Sequence, residues 1–82
     1  MKLFLISQKE NDDYDVYDSA VVAAETKEIA RAMDPSNGKP KVFGERFWND
    51  WCKSIDDVEV KYLGEAAPGI EQGVICASFN AG

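Results

Sequence analysis

An α+β domain, with elements in the order β-β-α-α-β-β, is the fold class that this sequence predicts. Three observations lead there. Strand-like runs come in two pairs, one toward each end of the chain, each pair joined by a polar or Gly/Pro-containing loop. The middle of the chain instead carries apolar residues at helical spacing. Eighty-two residues make one domain, 1–82, with no length left for a second. Two hairpins flanking a helix pair predict a four-stranded antiparallel sheet with the helices packed on it.

The first strand is "KLFLIS", short and apolar at consecutive positions, so that both of its faces meet something apolar. After the polar loop "QKENDD", "DVYDSAVVAA" reads as the second strand, with Tyr14, Tyr17, Val21 and Val22 supplying strand-favouring bulk. "TKEIARAMDP" is the first helix. Thr26 is its N-cap, Glu28 suits the first turn, and Ile29, Ala32 and Met33 share a face. Asp34-Pro35 ends it, because the residue before a proline avoids the helical region. "PSNGKPK" is a loop.

"GERFWNDWCKSI" predicts the second helix from the stripe Phe47, Trp48, Trp51, Cys52 and Ile55, with polar residues opposite. "DVEVKYLGEA" alternates Val58, Val60 and Tyr62 with Glu59 and Lys61, the pattern of a half-exposed edge strand. "APGIEQG" turns the chain, and "VICASFN" returns it as the fourth strand. If the two strands that are apolar on both sides are central, the sheet order is 2-1-4-3. Helices on one side then leave the other apolar set uncovered. Either the helices divide between the faces, or a second subunit or partner covers the remainder, which brings a homodimer into consideration.

Composition narrows the function. Hydrophobic residues make up 45% and charged residues 29%, as in folded globular chains. Nine basic residues against fifteen acidic give a net charge of −6, and both halves are acidic. Duplex nucleic acid is held largely by cations on phosphates, so direct nucleic-acid binding is disfavoured and a basic protein surface is the natural electrostatic partner. "MKLFLISQ" has too short an apolar run for a secretion signal, and no segment approaches a membrane span. Cytoplasmic residence follows as the expectation, with Cys52 and Cys76 as reduced, buried thiols.

Catalytic constellations are scarce. With no histidine, the Ser-His-Asp and Cys-His nucleophile systems and the usual transition-metal ligands are missing. Asn11, Asp13 and Asp15 alternate like the opening of an EF-hand loop. Val16 stands where that loop needs glycine, and Val22 where it needs glutamate, so no metal or cofactor is expected. Asp56 and Asp57 are adjacent and read as a turn rather than an acid/base pair. A non-enzyme is predicted.

Five carboxylates lie between Glu10 and Asp18 without a basic residue among them. They read either as a solvated loop and strand start or as a recognition surface. In the second reading the partner-binding residues are Asp12, Asp13, Tyr14, Asp15, Tyr17 and Asp18, the tyrosines offering apolar bodies with polar tips. Trp48 and Trp51 join them as candidates, because tryptophan is enriched at interface hot spots. The alternative for both is packing on the sheet. Being about 300° apart on a helix, one ring can point inward while the other lies at a rim.

"MKLFLISQ", "YDVYDSAVVAA", "ARAMDP", a tryptophan-bearing segment, "VEVKYLGEA" and "GVICASFNAG" together resemble a family of small proteins from tailed phages and prophages. The resemblance covers nearly the whole chain and is least distinctive around "NGKPKVFGE". In that family the helix tends to end in His-Pro. Here Met33-Asp34-Pro35 stands, so no role of that histidine carries over. The resemblance implies a phage origin and no enzymatic activity. Small acidic phage proteins often bind and disable a host protein, as anti-CRISPR proteins do. The expectation is therefore a host-interaction or anti-defence protein in the host cytoplasm, docking on a basic surface of a host bacterial protein. Two alternatives stand beside it. One is an oligomeric sponge for a small nucleotide, with Trp48 or Trp51 stacking on the base and Arg46, Lys53 or Lys61 at phosphate. The other is a virion or accessory component.

Overall fold

β1 (Lys2–Ser7) and β2 (Val16–Ala24) form an antiparallel hairpin at the centre of the sheet, with Phe4 opposite Val22 and Ile6 opposite Ala20. The computed structural model describes residues 1–10, 16–41, 43 and 51–80. β3 (Glu59–Glu65) pairs antiparallel with the free side of β1, and β4 (Gly73–Asn80) with the free side of β2. The order is therefore β3-β1-β2-β4.

This corrects the expected 2-1-4-3: β2 is central and β4 is an edge. The reason lies in the alanines. Ala20 and Ala24 are buried beneath the covering layer, because small side chains let it close directly over a central strand, and Ala23 is buried on the other face. Bulk alone marks β4 as the better central strand, yet its residues 75–79 are all exposed.

The expected pair of packed helices is corrected as well. Among the described residues there is one short helix, α1 (Lys27–Arg31), together with a 3-10 turn at Ile55–Asp57. Thr26 caps α1 as predicted, its Oγ1 accepting from the Ile29 N–H at 3.2 Å. Ala30 and Met33 carry the buried side of this segment, while Ile29 remains exposed. Arg31 Nη1 donates to the Val58 carbonyl at 3.2 Å, tying the helix to the start of β3.

After α1 the chain makes a tight reversal. Met33 and Pro40 form an antiparallel bridge, the Asp34 and Lys41 N–H groups donate to Lys39 and Ala32 carbonyls, and Asp34 accepts from the Ser36 N–H and hydroxyl. Gly38 sits in this turn at φ 75°.

Of the predicted second helix, residues 44–50 lie outside the described set, and 51–58 are loop and 3-10 turn. Over 51–58 Trp, Cys, Ser and Asp are mediocre helix formers, and this stretch buries Trp51 and Cys52 from a non-helical backbone. Trp51 and Cys52 are both buried, while Ile55 is exposed. The core lies on one face of the sheet, where Phe4, Ile6, Ala20, Val22 and Ala24 meet Ala30, Met33, Trp51, Cys52 and Val58.

Candidate functional site

β1 ends at Ser7, which lies between Ser19 of β2 and Glu59 of β3. The exit from β1 and the entries to β2 and β3 consequently meet at one end of the sheet. Gln8 secures this end: its N–H donates to the Asp18 carbonyl at 3.1 Å and its Nε2 to the Tyr17 carbonyl at 3.0 Å.

Exposed carboxylates collect here. Glu10 follows β1, Asp18 lies in the register shift between Tyr17 and Ser19, Asp56 and Asp57 form the 3-10 turn, and Glu59 opens β3. Asp18 accepts from the Ser19 hydroxyl at 3.2 Å. Among the described residues none of these five acids is in an ion pair, and Lys9 is the cation adjoining them in sequence. An ion pair among the described residues, Lys41–Asp34 at 3.7 Å, belongs to the turn after α1.

Cys52 reports on this region from below. Burial pushes its thiol up to about 11, reinforced by the negative charges of Asp57 and Glu10. Its Sγ donates to the Ser54 carbonyl at 3.3 Å. A thiol so placed stays protonated and unreactive at neutral pH.

The predicted partner-binding residues divide four ways. Asp18 is exposed. Tyr17 is half-buried, packing edge-on against Phe79 with ring centroids 4.7 Å apart, so its ring belongs chiefly to the packing of β2 on β4. Trp51 is fully buried and is corrected from a contact residue to a core residue. Asp12, Asp13, Tyr14, Asp15 and Trp48 lie outside the described residues. Sequence reading missed Asp56, Asp57 and Glu59 as neighbours of the acidic run. They come some forty residues later, and only the β1–β3 register brings them to the same end.

Cys76, expected to be buried, is exposed because β4 is an edge. A second feature is an open, mainly apolar cleft of about 350 Å³ between α1 and the turn at 38–40, lined by Ile29, Ala32, Met33 and Pro40 with Glu28, Lys39 and Gln72. Its volume is at the low end for small-molecule sites. Of the residues expected to hold a nucleotide, the described ones are not in its lining: Trp51 is buried in the core, Lys53 is in the 51–58 segment and Lys61 is on β3, while Arg46 and Trp48 lie outside the described residues.

Among the described residues no group of three His, Cys, Asp or Glu side chains is placed to hold a metal ion. No helix among them is long and apolar enough to cross a membrane. The arrangement offers one chemical capability, a concentrated negative potential at one end of a rigid sheet. No family model, curated protein or solved structure matches the chain.

Proposed function

We propose that this chain is a small phage-encoded, non-enzymatic binding protein that docks its acidic sheet end on a basic surface of a host bacterial protein. The observation that carries the reading is the set of exposed acids Glu10, Asp18, Asp56, Asp57 and Glu59, none of them in an ion pair among the described residues. The sequence continues this set directly through Asp12, Asp13 and Asp15. Carboxylates left without internal cations remain available for cations on a partner, and they steer a basic surface toward this end before contact. The phage origin and an anti-defence role in the host cytoplasm rest on the sequence pattern described above.

The test is affinity capture of a host protein from bacterial lysate, at about 50 mM and about 0.5 M salt, because screening of exposed charges grows steeply over that range. Specific capture of a basic-surfaced protein at low salt, lost at high salt and lost in an E10K/D18K/D57K variant that melts like the wild type, is the expected result. Capture that is indifferent to both salt and charge reversal rules this interface out.

A further inference from the structure

We infer that β4 pairs antiparallel, edge to edge, with β4 of a second copy of this chain, joining two four-stranded sheets into one of eight. The starting observation is local. Residues 75–79 of β4 are exposed without interruption, whereas β1 alternates exposed or half-buried positions with buried ones. Five exposed residues in a row in a strand mean that neither face is covered. Ile75 is 49% exposed and Phe79 44%. Beyond β4 the sheet has no further strand among the described residues.

The two edges differ in how they are protected. Edge strands in soluble proteins are normally guarded by charge, proline or a bulge. β3 carries Glu59, Lys61 and Glu65; register shifts occur on both edges, at Leu3/Phe4 beside β3 and at Tyr17/Ser19 and Val21/Val22 beside β4, so the edges differ in charge. β4, "GVICASFN", has no charge and no proline. Its first residues are closed off, since Gly38 packs so near that an added Cβ would lie 3.2 Å from Gly73 Cα and 3.3 Å from the Val74 nitrogen. The open length therefore begins at Ile75.

A second copy fits this seam for three reasons. The protein has a charge of −6, so two copies must meet where no like charges oppose one another, and the uncharged β4 provides that. An antiparallel β3–β3 contact centred on Tyr62 would set Glu59 against Glu65. Next, a two-fold axis perpendicular to the sheet keeps each face continuous, which places the axis at a residue. Centred on Ala77, the pairing sets Ile75 against Phe79 and Cys76 against Ser78 of the second copy; centred on Cys76, the two thiols oppose each other. Finally, one such contact covers the same exposed segment on both copies at once, as an isologous interface does.

A standard interface covers about 800 Å² per partner, about 15% of this chain's 5248 Å² surface. A seam limited to one short strand is smaller, so dissociation constants of roughly 10–100 µM are expected.

Sedimentation equilibrium from about 1 µM to about 1 mM tests this, with the apparent mass rising from 9.1 kDa toward twice that value. Ile75→Lys and, independently, Ser78→Lys each place two symmetry-related positive charges along the otherwise uncharged seam, at exposed positions. Each is expected to weaken the dimer at least about 100-fold without altering the circular dichroism spectrum or the melting of the monomer. The Cys76 thiols would lie about 5–8 Å apart by Cβ in either register, so a short bismaleimide should trap a covalent dimer of the wild type and not of Ile75→Lys. A monomer at every concentration overturns the proposal and leaves β4 to a strand of a different protein. A dimer that both lysine variants leave intact overturns it too and places self-association on another surface.

Discussion

Cys52 and Cys76 look alike in sequence, each following a large apolar residue, Trp51 or Ile75, and the fold makes them opposites. Cys76 is exposed on β4; Cys52 is buried, with its thiol pushed up to about 11. Native protein should therefore react with one equivalent of a thiol reagent at neutral pH, the second reacting only on unfolding. Two fast equivalents would contradict the burial of Cys52. The same shift sets a pH dependence. Because the folded state holds the Cys52 proton more tightly than the unfolded state, stability is unaffected below pH 9 and falls as pH rises from 9 toward 11. Urea midpoints measured across that window should fall more steeply for the wild type than for Cys52→Ala. Trp51 makes a parallel point. Its burial was readable as one of two outcomes for the tryptophans, but the loop that delivers it was not, since a loop has no periodicity to read. Trp51→Ala should cost about 3–5 kcal/mol. A domain of this size has only about 4–12 kcal/mol in all. Loss of most of the cooperative urea transition is expected.

Elements with local punctuation were readable, and elements that depend on tertiary packing were not. α1 has both kinds of mark, Thr26 before it and Asp34-Pro35 after it; it starts where Thr26 places it and ends at Arg31, short of the Asp34-Pro35 stop. Thr26→Ala should cost about 1 kcal/mol in urea denaturation. The segment at 51–58 has an apolar stripe without such marks, and there the neighbouring side chains Trp51 and Cys52 are buried from a non-helical backbone. The "SNGKP" turn was readable as a turn, but not its second duty against β4. At Gly38 a side chain meets a positive φ and backbone atoms of Gly73 and Val74 together. Gly38→Ala is expected to cost about 1–2 kcal/mol, more than the conformational term alone, with the lowered midpoint read in the same assay. An unchanged midpoint would mean that the turn stands clear of β4.

For the molecule as a whole, the four strand positions could be read from pattern, but their lateral order could not. Pattern shows how apolar a strand is on each side. It does not show that a strand of alanines can be more deeply buried than one of larger residues, which is what separates β2 from β4. The acidic end had the same difficulty: Glu10 and Asp18 were visible as a run, whereas Asp56, Asp57 and Glu59 join them only through strand register. Hydrogen exchange on dilute protein gives a direct reading of the order. Amides of β1 and β2 should be the slowest and those of 75–79 among the fastest of the strands. Uniformly slow exchange along β4 in dilute monomer would instead put that strand in the middle.

β3 and β4 follow one another in the chain and yet occupy opposite margins of the sheet, so residues 66–72 run past the ends of β1 and β2 like a strap. Three strand spacings are about 14 Å, and the seven residues reach at most about 25 Å, so the strap keeps some slack. Its first residue is pinned by the Ala66 N–H donating to the Met1 carbonyl at 3.0 Å. A pull that draws β4 outward therefore first straightens this segment, as a loose belt tightens, and only then loads the bond between Ala66 and Met1 at the far margin.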